Sequence, residues 1–506
     1  MLTKEWAQLK NGSDIRGFAV KSENGDVNLT DEKILAIAAA FAVWLEKKTD
    51  KRPLKIAVGH DSRISADRIK TAVITSLTKA GANVLDCGLI STPAMFMTCV
   101  SPETDCDGSV QITASHLPFD RNGLKFFTKA GGCESAEIEE ILTLAQNGEA
   151  LPETTGSVTA FDFLSLYADM LVNKVRNAVN AEDFDHPLAG FRVVVDAGNG
   201  AGGFYAEKVL KVLGADITGS QFLEPDGMFP NHIPNPENET AMASVTEAVK
   251  NAHADMGIIF DTDVDRAGAV DSFGREINRN RLIALISAIL LEERKPAVIV
   301  TDSITSSGLK KFIENHGGMH HRFKRGYKNV INEAIRLNRE GQYCPLAIET
   351  SGHAALKENY FLDDGAYLVT KLLIQAAILR RKGKKLDDLL LGLEEPKESR
   401  EFRMNLSCED FKTYGQSVID AVTAFAQKDP AWTPAPDNYE GIRVSFAPGD
   451  GDGWFLLRLS LHEPLMPLNI ETNEPGGVKT IARKLYAVLY RFDCLDTGAL
   501  KQFLNE

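Results

Sequence analysis

The sequence contains few cysteines and lacks any apolar segment long enough to span a bilayer. Its seven cysteines are scattered over 506 residues without metal-type pairing, which is typical of reduced, buried thiols in a reducing compartment. The first residues, MLTKEWAQLKNGSD, contain no apolar signal core. The longest apolar runs, Ile34–Leu45 and Leu282–Leu291, are shorter than the roughly 20 residues of a membrane helix. We therefore expect a cytoplasmic protein without a membrane partner, with an organelle protein that has lost a transit peptide as the alternative.

An excess of positive charge is also absent. The formal net charge is -14, so the chain as a whole repels nucleic acid, and we expect no nucleic-acid partner. The composition, 44% hydrophobic and 25% charged, is that of ordinary globular proteins and excludes disorder, collagen and coiled coils. At 506 residues the chain is too long for one hydrophobic core, so its length predicts several domains.

One arrangement of strands and helices recurs three times along the chain. Apolar runs alternate with helix-spaced stretches, and the joints KAGANV, VLGADI and NHGGMH resemble one another. Continuous apolar strands that alternate with helices favour parallel sheets covered on both faces. The sequence therefore predicts three similar α/β/α domains with mixed, mostly parallel sheets, followed by a C-terminal α+β domain.

The predicted domains and elements have the following bounds. The α/β domains are expected at residues 1–165, 166–279 and 280–395, and the α+β domain at residues 396–506. Strands are expected at Lys55–Gly59, Asn83–Asp86, Gly108–Thr113, Phe191–Asp196, Met256–Phe260, Ala297–Thr301, Leu346–Ile348, Arg443–Phe446 and Trp454–Leu461. Helices are expected at Asp67–Gly81, Ala206–Gly214, Thr240–Ala252, Ser307–His316 and Val478–Arg491. Because ligands bind at the carboxyl ends of parallel strands, the polar loops that follow these strands are candidate sites.

The first polar loop, TASHLP, places Ser115 and His116 directly after a predicted buried strand, with Lys125 a short distance downstream. An unassisted serine hydroxyl is a weak nucleophile and needs a base or a neighbouring charge. His116 and Lys125 are candidates for these roles. A strand-to-helix turn, where Ser, His and Pro are ordinary, is the alternative interpretation.

The second polar loop, DTDVDR, carries Asp261, Asp263 and Asp265. In an extended segment alternate residues point the same way, so the three carboxylates would converge. Adjacent anions repel unless a cation lies among them, and hard oxygen ligands suit Mg²⁺. An EF-hand is excluded, because its sixth position is Arg266 instead of Gly and its twelfth is Ser272 instead of Glu. A metal site is favoured over a solvated turn.

Two further loops carry weaker signals. ETSGH offers Glu349 and Ser351, whose carboxylate and hydroxyl suit sugar hydroxyls. Arg458 and Ser460, near the end of a predicted strand, suit a phosphate, because arginine matches phosphate with two parallel hydrogen bonds. For each loop, a solvated surface is the alternative interpretation.

The segment Gly198–Gly203 reads GNGAGG and fits the dinucleotide fingerprint GxGxxG after a predicted strand. No acid that would bind a ribose closes the next predicted strand, which reads ITGSQF. A dinucleotide oxidoreductase is therefore an alternative that depends on this segment alone.

Together and in this order, the loops resemble those of the α-D-phosphohexomutase family, and the resemblance covers essentially the whole chain. ITASHLPFDRNGLK is similar to the family's phosphoserine loop, FDTDVDR to its metal loop and IETSGH to its sugar-recognition loop, while SDIRG matches a segment whose arginine approaches the phosphoserine. The resemblance implies Mg²⁺ as cofactor, a phosphosugar substrate and hexose 1,6-bisphosphate as activator. It also implies a monomer or homodimer.

The resemblance further implies roles for the matched residues. The catalytic residues would be Ser115, His116, Lys125 and Arg16, with either Lys125 or His116 as the base. The metal ligands would be Asp261, Asp263, Asp265 and Ser115. The substrate would be bound by Arg266, Glu349, Ser351, His353, Lys324, Arg325, Lys328, Arg458, Ser460 and His462.

The sequence departs from the family pattern on the phosphate-binding side of the substrate pocket. The family's fourth loop reads R-x-S-G/N-T-E-P, and here Leu461 and His462 replace the small residue and the Thr. In the third domain, Gly326–Lys328 reads GYK where the family often has Gly-His. Ile348 stands where the sugar loop usually has its leading Gly.

These features predict an intramolecular phosphotransferase that interconverts hexose 1-phosphate and hexose 6-phosphate of mannose, glucose or both. The reaction would pass through a phosphoserine and a hexose 1,6-bisphosphate. A phosphoglucosamine mutase is an alternative within the family. A sugar-phosphate-binding protein without turnover is an alternative from another class, because the fourth loop is altered; the intact TASH and DTDVDR loops favour the enzyme.

Overall fold

The computed structural model of the protein describes residues 1–460 and 463–506, so the predicted ligand His462 and its neighbour Leu461 lie outside the described residues. The chain divides into two compact units. Unit 1 consists of Met1–Leu282 and Ser351–Leu389, and unit 2 of Ile283–Thr350 and Leu390–Glu506. The predicted phosphoserine and metal loops therefore lie in unit 1, and Glu349 with the predicted phosphate-binding residues lies in unit 2.

The first part of unit 1 is a mixed sheet flanked by helices. Its strands are β1 (Lys10–Asn11), β2 (Asp14–Phe18), β3 (Lys55–His60), β4 (Asn83–Leu89), β5 (Gly108–Ile112), β6 (Arg121–Thr128), β7 (Gly131–Gly132) and β8 (Val158–Ala160). Its helices are α1 (Lys4–Ala7), α2 (Asp31–Thr49), α3 (Ala66–Lys79), α4 (Thr92–Val100), α5 (Ser135–Gln146) and α6 (Phe163–Val179). The strand order is β1-β2-β6-β5-β3-β4-β8, with β7 beside β6. Because β3 runs parallel to β5, the loops that follow these two strands lie at the same edge of the sheet.

A second sheet of unit 1 holds the predicted metal loop. It contains β9 (Val193–Asp196), β10 (Met256–Phe260), β11 (Ala267–Asp271) and β12 (Glu276–Ile277), in the order β12-β11-β10-β9, and α7 (Glu239–Ala252) packs on it. β9 and β10 are parallel, and β10 and β11 are antiparallel. The helix predicted at Ala206–Gly214 is wrong in type and extent, because the backbone forms a π-helix over Tyr205–Leu210. This wider turn keeps four of its six side chains buried, among them Tyr205.

The next elements continue in both units. They are α8 (Arg279–Glu293), β13 (Val298–Thr301), α9 (Ser307–Asn315), β14 (Met319–Arg322), α10 (Tyr327–Arg339), β15 (Leu346–Ile348), β16 (Ala354–Leu356), β17 (Leu362–Asp363) and α11 (Gly365–Arg381). In unit 2, β13 is parallel to both β14 and β15. In unit 1, β16 and β17 form an antiparallel pair that leads into α11.

The C-terminal part of unit 2 is an antiparallel sheet with helices. Its elements are β18 (Glu398–Asn405), α12 (Phe411–Ala426), β19 (Thr433–Pro434), β20 (Ile442–Phe446), β21 (Gly453–Leu457), β22 (Leu465–Thr472), α13 (Gly477–Leu489) and α14 (Gly498–Asn505), with strand order β18-β22-β21-β20-β19. The strand predicted at Trp454–Leu461 ends earlier, at Leu457. Leu457 pairs with Leu468, and the next partner would be Pro467, which has no backbone N–H to continue the ladder.

The predicted fold class is confirmed. Three α/β segments with mixed sheets are followed by an α+β segment, and parallel strands lie beside antiparallel ones in the sheets of unit 1. Within the described ranges, no helix combines the length and the apolar character needed to cross a membrane.

Candidate active site

Ser115 lies in a tight turn at the carboxyl end of β5. Its φ angle is +52°, a left-handed conformation that few residues other than glycine adopt. The Ser115 amide donates to Thr113 Oγ1 at 2.9 Å, which holds the turn in place. The side chain is only 4% exposed, so the strand end presents a buried hydroxyl to the groups around it.

Three side chains surround the Ser115 hydroxyl. Ser115 Oγ donates to Asp261 Oδ2 at 3.1 Å and accepts from Arg266 Nη2 at 2.9 Å. His116 Nδ1 lies 3.3 Å from the same oxygen. The structure thus brings the predicted phosphoserine beside an acid of the predicted metal loop and beside a fixed positive charge.

The three acids of DTDVDR converge, but not for the reason that alternation in a strand predicts. The extended segment expected there is wrong, because the loop is a turn in which Val264 adopts a φ angle of +68°. The turn brings ligand oxygens of Asp261, Asp263 and Asp265 within 4.8 Å of one another. All three residues are buried. A left-handed β-branched residue is strained, and such strain persists where the surrounding structure enforces it.

Two cations share these three carboxylates. Arg266 Nη2 donates to Asp261 Oδ2 at 2.8 Å, while Lys125 Nζ donates to Asp263 Oδ2 at 3.1 Å and to Asp265 Oδ2 at 2.5 Å. Burial and the nearby Asp265 raise the pKa of Asp261 well above its ordinary value. Burial also acts to raise the pKa of Asp265. The charges of Lys125, His353 and Arg266 outweigh burial, so the pKa of Asp265 is lowered.

The acids retain capacity for a further cation. Asp263 Oδ1 and Asp265 Oδ1 are buried and have no hydrogen-bond partner among the residues that the structure describes. An unsatisfied buried carboxylate oxygen is costly, and three carboxylates outnumber the two cations that contact them. The donor set consists of hard oxygens, which suit a divalent metal ion such as those bound by carboxylates in enzymes. The residues present therefore fit a metal.

His116 is held neutral beside Ser115. Burial, followed by the charges of Arg266 and Arg16, lowers the pKa of His116 to about 2. Arg266 Nη2 donates to His116 Nδ1 at 2.7 Å, so Nδ1 carries a lone pair and the ring proton is on Nε2. Arg16, on β2, also forms an ion pair with Asp14 at 2.8 Å.

His353 is an ion-pair partner in the same part of unit 1. Its Nδ1 lies 2.5 Å from Asp363 Oδ2, and an isolated β-bridge joins its backbone to that of Arg266. Burial disfavours the charged ring, but Asp363 and then Asp265 raise the pKa of His353 to about 9. Ser351 Oγ, two residues earlier, is buried and has no hydrogen-bond partner among the described residues.

In unit 2 the predicted sugar and phosphate residues lie around Glu349 and Glu440. Glu349 Oε1 accepts from the Gly326 amide at 2.6 Å, which ties the sugar loop to the segment that contains Lys324, Arg325 and Lys328. The Arg325 amide donates to Glu440 Oε1 at 3.0 Å. Lys324 Nζ lies 5.7 Å from the ring centre of Phe323, and Lys328 is in the first turn of α10.

Arg458 and Ser460 follow β21 in unit 2. Burial lowers the pKa of Arg458, and the carboxylate of Glu440 acts in the opposite direction. Arg458 Nε has no hydrogen-bond partner in the part of the chain that the structure describes. Ser460 Oγ accepts from the Glu463 amide at 3.3 Å. Arg458 therefore retains a donor for a ligand, whereas Ser460 is used in the turn.

One residue that sequence reasoning missed organises the Ser115 loop. Arg63 is buried and donates to four backbone carbonyls of that loop, those of Ser115, Leu117, Pro118 and Arg121. The sequence contains a signal for this role, because Asp61, Ser62 and Arg63 follow β3 at the same edge of the sheet. An arginine far away in sequence could be assigned to this loop only once the strand order was known.

Two more supports of the metal loop were also missed. Thr92, at the start of α4, donates from its amide to the Asp263 carbonyl at 2.8 Å and from its hydroxyl to Asp263 Oδ2. Gly200 packs so closely on the metal loop that a Cβ there would lie 2.5 Å from the Thr262 carbonyl oxygen. The glycine-rich segment Gly198–Gly203 therefore packs against the metal loop.

Comparisons with known proteins agree with this geometry. Three models of the phosphoglucomutase/phosphomannomutase family, those of alpha/beta/alpha domains I, II and III, match residues 7–151, 165–274 and 278–395. The chain belongs to this family. Membership makes it a phosphohexomutase, which is an isomerase of carbohydrate metabolism, and confirms the predicted α-D-phosphohexomutase resemblance.

Relatives of this family cover nearly the whole chain. A phosphoglucomutase of Neisseria gonorrhoeae is 31% identical over 479 residues, which are 94% of this chain and 95% of the relative. A phosphomannomutase/phosphoglucomutase of Pseudomonas putida is 30% identical over 88% of this chain and 90% of its own length. The crystal structure of a phosphoglucomutase/phosphomannomutase family protein from Burkholderia thailandensis has a TM-score of 0.77 at 26% identity, covering 96% of this chain and 98% of that one.

The predicted site residues of this phosphohexomutase fall into two groups. Unit 1 contains the predicted catalytic and metal-binding side chains together with Arg266, Ser351 and His353. Unit 2 contains Glu349 and the predicted phosphate-binding side chains, namely Lys324, Arg325, Lys328, Arg458 and Ser460. The acidic cluster in unit 1 could hold a metal ion, in agreement with the metal dependence of the family.

Proposed function

We propose that this chain interconverts hexose 1-phosphates and hexose 6-phosphates of mannose and glucose through a phosphorylated Ser115. The observation that carries the proposal is the buried Ser115 hydroxyl, 3.1 Å from Asp261 Oδ2 and 2.9 Å from Arg266 Nη2. A hydroxyl so placed can carry a phosphoryl group whose charge is neutralised by the guanidinium and by a metal. The names of the Neisseria and Pseudomonas relatives support glucose and mannose phosphates as substrates.

Asp261, Asp263 and Asp265 would hold Mg²⁺ in this proposal, with an oxygen of the Ser115 phosphate as a further ligand. Asp263 Oδ1 and Asp265 Oδ1 support this assignment, because neither accepts a hydrogen bond from any residue that the structure describes. When bound, Mg²⁺ supplies Lewis-acid stabilisation of the phosphoryl oxygens. Thr92 and Lys125 orient the carboxylates, because each donates a hydrogen bond to Asp263 Oδ2.

The proposed reaction consists of two phosphoryl transfers in opposite directions. In the first, the bond between phosphorus and Ser115 Oγ breaks and a bond to the sugar hydroxyl oxygen forms. The hydroxyl proton passes to a base, and Ser115 Oγ takes up a proton, which it releases again in the second transfer. The product is a hexose 1,6-bisphosphate. In the second, Ser115 Oγ receives the other phosphoryl group, and the new sugar hydroxyl regains a proton. Hexose 1,6-bisphosphate supplied from outside primes an unphosphorylated Ser115 in the same way.

The geometry of unit 1 favours His116 over Lys125 as the base. Lys125 Nζ is held by Asp263 and Asp265, and these ion pairs favour its charged ammonium form. His116 is neutral and directs Nδ1 toward Ser115 Oγ at 3.3 Å. Arg266 competes for this nitrogen in the present structure. A phosphoryl group on Ser115 offers Arg266 stronger acceptors and releases Nδ1. Its negative charge would also raise the pKa of His116, which burial and the two arginines otherwise hold too low for a base.

In this proposal unit 2 binds the sugar and the phosphate that is not being transferred. Glu349 accepts hydrogen bonds from sugar hydroxyls, and its link to Gly326 places it beside the cationic segment 324–328. Arg458 and Arg325 bind the phosphate in this proposal, supported by Arg458 Nε, which donates no hydrogen bond to the described residues. Ser351 and His353 of unit 1 complete the proposed set of substrate ligands.

The proposal is tested by removing the phosphorylated oxygen. Ser115→Ala is expected to abolish conversion of glucose 1-phosphate in a coupled assay while circular dichroism stays that of the wild type. Intact-mass measurement after incubation with glucose 1,6-bisphosphate should show one added phosphate on the wild type and none on the variant. The matched control, Ser157→Ala at an exposed position, should behave as wild type. Full turnover by Ser115→Ala would reject the covalent route, and a more than hundredfold preference for glucosamine phosphates would reject the substrate assignment.

A further inference from the structure

A cavity of about 260 Å³ lies in unit 1 between the C-terminal half of α11 and the sheet that carries the metal loop. Its apolar wall is formed by Phe191, Met256, Ile277 and Ala376, all buried. This volume is close to the lower end of small-molecule sites, which begin at roughly 300 Å³. The cavity could therefore hold a molecule with one aromatic ring or with two fused rings. We name this cavity the α11 pocket.

The mouth of the α11 pocket is basic. Arg380, Lys384 and Lys385 line it and are exposed. Lys385 Nζ donates to Ser272 Oγ at 3.3 Å, and the Arg380 guanidinium lies 5.0 Å from the ring centre of Phe191. A flat ring inside the pocket would thus meet an apolar wall and a cation at its edge.

The acids that line the same pocket are already neutralised. Arg275 donates to Asp271 Oδ2 at 2.6 Å and to Asp387 Oδ2 at 2.7 Å. Arg281 Nη2 also lies 3.8 Å from Asp387 Oδ1, and Arg380 Nη1 lies 3.7 Å from Asp255 Oδ2. The charge still available to an occupant is therefore the positive charge of the lysines at the mouth. An apolar body with one anionic group matches this distribution.

The α11 pocket is connected to the metal loop by continuous secondary structure. Ala376 is in α11, whose first residue, Gly365, donates to the Val264 carbonyl at 3.1 Å. A Cβ at Gly365 would lie 2.6 Å from the Arg266 carbonyl carbon, so the helix start packs directly on the loop. Met256, in the pocket wall, begins β10, which ends at Phe260 immediately before Asp261. Rigid elements of this kind carry coupling between sites.

We propose that the α11 pocket is an effector site for a small amphipathic organic anion, an aromatic carboxylate or phosphate, whose binding is transmitted through α11 and β10 to the metal loop. The apolar body packs between Phe191, Met256 and Ala376, and the anionic group pairs with Lys384 and Lys385. None of these residues belongs to the proposed reaction, so binding at the pocket and turnover are separate properties.

The first test measures binding with indole-3-acetate and with its neutral analogue indole-3-acetamide, by isothermal titration and saturation-transfer NMR. Indole-3-acetate is expected to bind saturably, and the amide at least tenfold more weakly. Ala376→Trp, which fills the pocket, should abolish binding. Lys384→Glu combined with Lys385→Glu should weaken binding at least tenfold, and these exposed positions keep the test valid if Ala376→Trp does not fold.

The second test follows amide hydrogen exchange of residues 261–266 with and without saturating indole-3-acetate. Exchange in this segment is expected to change at least fivefold in the wild type and to stay constant in the double lysine variant. Absence of saturable binding, equal binding of the acetate and the amide, or unchanged exchange at saturation would each overturn the proposal. Because neither measurement uses turnover, its failure is distinct from a failure of the proposed mutase reaction.

Discussion

Arg266 and Lys125 fix the electrostatics of the site at the scale of single residues. Arg266 contacts Ser115, His116 and Asp261 and lies 3.7 Å from Asp265 Oδ1, whereas Lys125 contacts Asp263 and Asp265. Two cations cannot balance three buried carboxylates, and Asp263 Oδ1 and Asp265 Oδ1 accept no hydrogen bond from the described residues. The site is therefore expected to be most stable with a divalent cation bound.

Asp263→Asn tests this balance. Replacement of a carboxylate by a neutral amide removes one anion from the metal ligands, so Mg²⁺ affinity is expected to fall at least about tenfold, with turnover falling in parallel. Titration of activity and of thermal stability against Mg²⁺ measures both effects. Asp26→Asn is the control, because Asp26 is exposed and pairs with Lys21 at the surface. An unchanged metal titration would show that Asp263 does not bind the metal.

His232 provides a pH-dependent contribution to stability. Its Nε2 lies 3.0 Å from Asp196 Oδ2, and its Nδ1 lies 3.0 Å from the Ile233 carbonyl oxygen. Both partners are acceptors, so only the doubly protonated ring satisfies both contacts. Burial disfavours the charge, but the hydrogen bond and charge of Asp196 raise the pKa of His232 above its ordinary value.

The raised pKa of His232 predicts greater stabilisation in acid. The contribution is fully present below the unfolded pKa, about 6.5, and is lost as the pH rises through the higher folded pKa. His232→Gln should therefore lower the melting temperature by roughly 2–4 °C at pH 6, and the deficit should shrink as the pH rises through the folded pKa. Melting curves of wild type, His232→Gln and the control His186→Gln, at an exposed histidine, measure this. A deficit that grows with pH would contradict the assignment.

At the scale of elements, the metal loop depends on its neighbours for its shape. Val264 is held in a left-handed conformation by Gly365, whose amide binds the Val264 carbonyl, and the Ala201 amide donates to the Thr262 carbonyl at 2.8 Å. Gly200 allows this approach because it has no Cβ. The glycine-rich segment after β9 therefore belongs to the metal loop's support.

Gly200→Ala is expected to displace the metal loop without unfolding the domain. A Cβ 2.5 Å from the Thr262 carbonyl oxygen forces backbone to move against backbone, so Mg²⁺ affinity should fall about tenfold, as for other lost supports of metal ligands. Metal titration and circular dichroism separate the two effects. Gly498→Ala, at an exposed helix start, should leave both unchanged. If Gly200→Ala kept the Mg²⁺ affinity of the wild type, the metal loop would be able to move without loss of metal binding.

Most elements could be predicted from the sequence, because buried strands are continuous apolar runs. Met256–Phe260 and Leu346–Ile348 have the expected bounds. The exceptions depend on tertiary structure: β21 stops opposite Pro467, and Tyr205–Leu210 is a π-helix. A local sequence pattern does not show which residues pack against or pair with a segment, so it could not predict these two exceptions.

Site residues could be predicted from the sequence where their functional groups lie together in one loop after a buried strand. Ser115 and the three aspartates stand out because each group follows a buried strand. Arg63 and Thr92 could not be assigned, because each acts on a loop far away in sequence. The turn of the metal loop was also missed, because alternation suggests an extended chain, whereas the left-handed Val264 is imposed by packing.

At the scale of the whole molecule, the proposed functions are divided between the two units. The nucleophile, the acids and His116 lie in unit 1, and Glu349 with the proposed phosphate ligands lies in unit 2. Substitutions in the two units are therefore expected to change different kinetic parameters. Changes in unit 1 should alter phosphorylation of Ser115 and metal affinity, whereas changes in unit 2 should alter substrate affinity.

Arg458→Ala tests this division. Arg458 retains a hydrogen-bond donor without a partner among the described residues and faces the charge of Glu440. Loss of a charged hydrogen bond to phosphate should raise KM at least tenfold, about 1.4 kcal/mol, while phosphorylation of Ser115 and Mg²⁺ affinity stay those of the wild type. Steady-state kinetics, intact mass and metal titration measure the three quantities, with Arg403→Ala at an exposed position as control. A KM within twofold of wild type, or a loss of Ser115 phosphorylation, would contradict the division, since Arg458 would then either not contact substrate or act on the chemistry of unit 1.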